Sequence, residues 1–356
     1  MEIAAVPDTA ERTGVSRVPA ILGLSLIGVA AAGIATLVTV SVGSVRAAAT
    51  APDGLPFIGL DAVEMLVPPV LLLAGLVIAA SLVLTGRHAG RSAVVWLSVF
   101  GAVILVQLLA TRFDVFADVG VRWVGPPKWI GQSGIVAAAV ALAGAAIVFM
   151  RPAAQRWATA RLPGDASAAP SDAPAVLRRA AWNLGAGGAL MIVAVAGRFL
   201  VRLPAFDATE TSLAVLVILG IAGLLLTVVA GAFAGAVLAQ RGRRGGAVLA
   251  RVAGALLLYS AMWGVYALVS DALYWWYLEA DLYFELPPRW SPVAVSAGGF
   301  ALLAAAIGAA GLLLAGLARL ADPRIHQYLN DGRTTGQPTP GYRSWTAIGP
   351  ADGRTD

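Results

Sequence analysis

The chain contains no cysteine, two histidines and, among 25 basic residues, a single lysine, Lys128. Without a thiol there is no disulfide, no thiolate nucleophile and no iron–sulfur ligation. His88 falls in a short connection and His326 near the C-terminus, so the pair cannot clasp a haem across a bilayer or found a histidine-rich metal site. No cofactor and no metal are expected. Charge is scarce as well: 13% of the 356 residues are Asp, Glu, Lys or Arg, against roughly a quarter in soluble domains. The nucleotide-binding, serine-hydrolase and zinc-protease patterns G-x-x-x-x-G-K-[ST], G-x-S-x-G and H-E-x-x-H are missing. No charged residue stands in the middle of an apolar segment, where ion-coupled carriers normally place a carboxylate. The sequence names no catalytic residue and carries no family signature.

What it has in abundance is apolar sequence, 59% of residues, with a mean hydropathy of +0.80. A bilayer core takes about 20 apolar residues per helix. Eight segments meet that length, at 18–43, 63–86, 92–111, 131–150, 181–203, 212–239, 247–270 and 292–318. Ala47-Ala48-Ala49 resembles a signal-peptide cleavage site. The apolar run before it exceeds the ~7–15 residues of such a signal and its head is not basic, so a retained helix is expected. The net charge of +5 and the pI near 10.0 come from arginines at segment ends. They serve topology and anionic lipid rather than nucleic acid. The arginine bias, with so much Ala, Gly and Val, fits a GC-rich bacterial genome.

If both termini are cytoplasmic, the inner connections and termini hold 17 basic residues, while the outer connections hold seven against eleven carboxylates. Every connection then obeys the positive-inside rule. A bacterial plasma-membrane protein with both ends inside is expected.

The chain also repeats a landmark. Pro126-Pro127-Lys128-Trp129 returns 161 residues later as Pro287-Pro288-Arg289-Trp290, each time before a run of small residues. Gly101 and Gly254 open similar runs, Asp114 and Asp271 follow them, Gly86-Arg87-His88 matches Gly242-Arg243-Arg244, and Leu55-Pro56 matches Leu203-Pro204. The fold expected is an all-α polytopic membrane protein with eight transmembrane helices as two parallel four-helix repeats. Their axis would be a pseudo-two-fold along the membrane normal. Residues 1–150 form the first repeat, 151–179 a cytoplasmic linker, 180–321 the second repeat and 322–356 a disordered cytoplasmic tail. Each Pro-Pro ends an outer segment and sets Trp129 and Trp290 at headgroup level. Small residues four apart (Ala137, Ala141, Ala145; Ala301, Ala305, Ala309; Gly231, Gly235) allow close helix contact. They suggest that the fourth and eighth helices join the halves, or meet a second copy. Glu64, Pro68 and Pro69 read as the first turn of the second helix, and Gln107, Thr227, Tyr259 and Ser260 as hydrogen-bond partners between helices.

The outer face is the candidate working surface. The seventh helix has no breaker from Ala247 to Leu286 and is expected to run past the membrane. Asp271, Glu279, Asp281 and Glu285 share one broad arc of it, with Leu273, Trp276, Tyr277, Tyr283 and Phe284 opposite. Asp114, Phe116, Asp118, Arg122 and Trp123 are the shorter counterpart in the first half. Arg198 and Arg202, four apart on one face, can snorkel, pair with Glu64, Asp114 or Asp271, or hold a phosphate or carboxylate headgroup. A single cleft between the halves lined by these groups is the expectation.

Three function classes fit: a non-enzymatic envelope-complex or scaffold component binding an envelope protein or a second copy, a permease for a neutral or lipid-like solute, and a membrane enzyme on lipid-linked substrates. The absent cysteine makes the topology directly testable. Single cysteines introduced at Ala166 and Ala351 should react with a membrane-impermeant maleimide only after permeabilisation, and one at Asp118 in intact cells. The opposite pattern would overturn the inside assignment.

Overall fold

The computed structural model describes residues 18–49, 56–84, 88–112, 127–154, 172–202, 208–280 and 292–334, with side chains placed over the central parts of the helices. Among the described residues there is no strand. The long helices are α1 (Val18–Ala49), α2 (Pro56–Leu84), α3 (His88–Arg112), α4 (Lys128–Met150), α5 (Ala173–Arg202), α6 (Ala208–Gln240), α7 (Arg244–Ala280) and α8 (Pro292–Leu320), followed by a short α9 (Pro323–Thr334). Seven of them, all but α2 and α9, are long and apolar enough to cross a membrane; α2 contributes the shorter apolar stretch Pro69–Leu84. Their outward faces are apolar too. Val140 is 67% exposed and Leu216 66%, a surface that water would not tolerate over such an area and that lipid covers.

The helices form two groups with the same neighbour order. In the first, α1 packs on α4, α4 on α3, α3 on α2 and α2 on α1; in the second, α5 packs on α8, α8 on α7, α7 on α6 and α6 on α5. The hairpins match in detail. A Cβ on Gly90 would lie 2.5 Å from the Val83 nitrogen, and one on Gly246 would lie 2.6 Å from the Ala239 nitrogen. Both pairs are separated by 156 residues, the offset that also relates Gly86-Arg87-His88 to Gly242-Arg243-Arg244. Near the same end, Arg91 of α3 donates from Nε to the Phe149 carbonyl of α4 at 2.9 Å. Arg251 of α7 likewise donates from a terminal nitrogen to the Leu320 carbonyl of α8 at 2.6 Å. Each closes a last-turn carbonyl that its own helix leaves open.

Contacts between the groups depart from the two-fold expectation. α3 meets α8 and, more lightly, α7, while α2 meets α7. A two-fold would require α7 against α4 and α6 against α3 in return, and neither is a substantial contact among the described residues. One reason is that α6 stands apart over its first half, where Val215, Leu216, Val217, Leu219 and Leu224 are exposed.

The fourth helix does not join the halves either. Its small residues are used inside the first group, where a Cβ on Gly33 would overlap the Gly134 carbonyl oxygen, and one on Gly134 would lie 2.8 Å from the Gly33 oxygen. The buried stripe there is Gly134, Ala138, Ala141 and Ala145, while Ala137 faces outward. The eighth helix, in contrast, does reach across, to α3.

Three boundaries differ from the sequence reading. The linker is shorter than 151–179: residues 152–154 are helical and α5 begins at Ala173, with Ala173 and Leu177 fully buried. Residues 155–171 lie outside the described part. Pro68 and Pro69 are inside α2 rather than in its first turn, because the helix starts at Pro56. With no N–H on either proline, the Glu64 and Met65 carbonyls lose their usual i+4 donors.

The third difference is the tail, which is not irregular from Asp322. α9 runs to Thr334 and buries Ile325 and Leu329 against the second group. Asp322 caps it, accepting the Arg324 N–H at 2.9 Å, and Pro323 supplies the first helical position. Tyr328 donates to the Gln240 carbonyl at 2.8 Å. Arg244 donates to the Leu329 carbonyl at 3.2 Å and to the Asn330 side-chain oxygen.

The Gly33–Gly134 crossing gives a direct test. Gly134→Leu should lower stability by about 1–3 kcal/mol, read by denaturant unfolding in bicelles. Gly28→Ala, which meets no atom within 4 Å, should change it by less than about 0.5 kcal/mol. Equal effects would refute the close crossing.

Candidate functional site

The outer residues singled out from sequence divide sharply. Asp114, Asp281, Glu285 and Trp290 lie outside the described residues, as do Phe116, Asp118, Arg122, Trp123, Tyr283 and Phe284. Asp271 and Glu279 are on the α7 backbone and Arg202 on α5, with their side chains outside the described part. Arg198 and Trp129 are fully described. Trp129 is the second residue of α4 and 65% exposed. Pro127 stands just ahead of this helix at its N-cap, and its carbonyl accepts the Ile130 N–H at 3.0 Å. In the second half the matching helix begins at Pro292, five residues after Pro287. α7 extends through Ala280 as expected of a helix without breakers, 37 residues in all, or about 55 Å at 1.5 Å per residue.

Two cavities lie inside the apolar zone. The first, of about 350 Å³, sits at the seam between the groups, enclosed by α2, α3, α7 and α8. Every residue lining it is apolar, Pro69, Leu97, Ile104, Met262, Ile307 and Leu314 among them. Beside it the groups interlock: Tyr266 of α7 is buried in the first core, Trp96 and Phe100 of α3 pack on the second, and Met262 and Leu314 touch both. One polar link crosses here, Gln107 Nε2 donating to the Tyr259 hydroxyl at 2.8 Å. Phe100 lies over Tyr259 with ring centres 5.8 Å apart and stacks on Trp96 at 5.7 Å.

Arg198 is not at this seam. It lines the second cavity, of about 340 Å³, between α5, α6 and α7 of the second group, with Met191, Val195, Leu225, Tyr259 and Trp263. Most of the lining expected for a single cleft between the halves lies outside the described residues; Arg198 stands on this second cavity, apart from the apolar crevice at the seam.

The uncharged polar residues of the span also divide. Gln107 and Tyr259 bridge helices, as their positions suggested. Thr227 and Ser260 do not: their hydroxyls donate to the Gly223 and Leu256 carbonyls of their own helices, both at 2.9 Å. Thr36 and Thr39 do the same within α1. A hydroxyl in hydrocarbon takes the nearest acceptor, and the carbonyl one turn back is always within reach. Ser98, completely buried on α3, has no hydrogen-bond partner for its hydroxyl among the described residues.

No group of three or more His, Asp or Glu gathers among the described residues into a metal-binding cluster. Sequence reasoning missed the seam crevice and the fact that Tyr259, bonded to Gln107 across the seam, also lines the second cavity. Neither is visible in spacing, because four helices from both halves build the crevice and three helices of one half build the second cavity. It also missed α9, which Asp322-Pro323 and the i, i+3, i+4 set Ile325, Tyr328 and Leu329 would have signalled.

An all-helical chain with seven long apolar helices, apolar on its outside and hydrogen-bonded within, is a polytopic membrane protein. Comparison of the chain with protein-family models, with curated proteins and with solved structures found no match.

The bridge at the seam is testable by a double-mutant cycle. Gln107→Leu and Tyr259→Phe should each cost about 0.6–2 kcal/mol, and together clearly less than their sum, because both remove one interaction. Strict additivity in detergent unfolding would exclude a shared bond.

Proposed function

We propose that this chain is a multi-pass protein of a bacterial plasma membrane, with eight spans in two parallel four-helix repeats and both termini cytoplasmic. The matched neighbour order of the two groups and the hairpin contacts offset by 156 residues support the duplication. Its role is that of a non-enzymatic envelope-complex or scaffold component. It works through the acidic and aromatic outer surface, including Asp271, Glu279, Asp281 and Glu285. The observation that carries this reading is the length of α7. The first charged residue after Arg251 is Asp271, yet the helix continues to Ala280, about 13 Å further. A rigid helix carrying Trp275, Trp276, Tyr277 and Glu279 beyond the apolar zone is suited to docking against another protein.

A photo-crosslinking residue at Trp275, in intact membranes, should capture an envelope protein. The double substitution Glu279→Lys with Asp281→Lys should reduce that capture severalfold without changing the amount of protein in the membrane. A product of twice the chain's own mass would identify a second copy as the partner. Capture indifferent to charge reversal would sink the reading.

A second reading has its own support. The crevice at the seam is apolar on every side, which disfavours a polar solute and suits a lipid-like one. A permease for such a molecule would use the boundary between the groups as its path.

A further inference from the structure

The two hairpins that begin alike do not end alike. Gly242, with φ of +75°, turns the chain between α6 and α7, and the helices leave it tightly packed. A Cβ on Gly235 would lie 2.6 Å from the Ala250 nitrogen. One turn further, at Gly231, the nearest atom is the Ala253 Cβ at 4.0 Å, and at Gly223 and Gly220 nothing lies within 4 Å. In this half of α6, Gly220, Gly223 and Leu224 face outward while Leu225 stays buried. In the first group the hairpin is tighter at the matching level: a Cβ on Gly75, 156 residues before Gly231, would meet Leu97 at 3.3 Å.

Beside this pair lies the 340 Å³ cavity, with α5 as its back wall. Along α7 it reaches from Tyr259 to Leu268, about 13 Å. Leu224, 66% exposed, and Trp263, 38% exposed, form its lips, so it opens sideways onto the apolar surface that lipid covers. On its floor the Ser260 hydroxyl is bonded to the Leu256 carbonyl, and the Tyr259 oxygen accepts from Gln107. Among the described residues the charge on its wall is that of Arg198, half-buried on α5. A cavity of this size accommodates a small molecule but not a helix, which is about 10 Å across. A free anion would leave the hydrocarbon-lined remainder empty.

We infer that this cleft binds one chain of an anionic amphiphile drawn from the surrounding bilayer. Its carboxylate or phosphate lies on Arg198, and its hydrocarbon runs along Trp263 toward Tyr259. This site is independent of the outer surface and of the seam crevice.

The test uses the full-length protein in nanodiscs of zwitterionic lipid, with spin-labelled stearate as probe and its methyl ester as the neutral control. Stearate should give a saturable immobilised signal, and the ester a much weaker one. Arg198→Gln should weaken stearate binding about tenfold or more, whereas Arg198→Lys should retain most of it. Ala267→Phe, which fills the apolar wall, should reduce both probes. Millimolar inorganic phosphate should not displace stearate. Unchanged binding in Arg198→Gln, equal affinity for the ester, or displacement by phosphate would each overturn the assignment. Should Arg198→Gln fail to fold, Ala267→Phe decides: stearate binding that survives it refutes the cleft.

Discussion

Hydrocarbon supplies no hydrogen bonds and no hydrophobic drive between helices, and the arrangement of this protein follows from that constraint. Polar groups must be satisfied within reach, so Thr36, Thr39, Thr227 and Ser260 each fold back onto the preceding turn of their own helix. Arginine is kept near helix ends, where Arg91 and Arg251 close the last carbonyls of α4 and α8. Helices hold together where their backbones can nearly touch, as at Gly33 and Gly134, and dispersion over many close atoms replaces the drive that water would have provided. The residues that elsewhere would be a core, such as Leu216, Leu224 and Val140, face outward instead.

Within that constraint the two groups diverge. Each keeps the same ring of neighbours and the same tight start to its second hairpin. Different edges then meet at the seam, because α3 offers Trp96, Phe100 and Gln107 to the second group while α6 turns away from the first. The outcome is an apolar seam crossed by the Gln107–Tyr259 hydrogen bond, and a separate cleft between α5, α6 and α7. If the halves descend from one ancestor, they have separated in use: one hairpin closed by Leu97 beneath Gly75, the other open beside Arg198. In the function proposed above, the end of α7 beyond Asp271 supplies a third surface.

Much of the fold was legible without coordinates. Apolar runs of bilayer length, bounded by Gly, Pro and Arg, locate the long helices, since hydropathy and the cost of an unpaired backbone act locally along the chain, though α2 and α5 begin about two turns earlier than those runs. The absence of breakers after Ala247 already implied an overlong α7. Where the reading failed, local signals were weaker than their context. The tail looked irregular because α9 is 12 residues long, too short for a hydropathy window, and holds by docking onto Gln240 and Arg244. Pro68 and Pro69 looked like a helix start because proline usually is one, yet α2 begins a full three turns earlier.

The sequence by itself determined that the chain enters the membrane, where each helix lies, and that small residues would carry the packing. Composition and period are properties of one segment at a time, and one segment at a time is what the bilayer reads. Only the tertiary structure decided which small residues touch, which half each cavity belongs to, and that Arg198 faces the α6–α7 cleft rather than the seam. Those outcomes depend on rotations and crossings of helices far apart in the chain, and a difference of one residue in register moves a side chain by about 100° around its helix. Spacing alone does not fix that angle; contact with the neighbouring helix does.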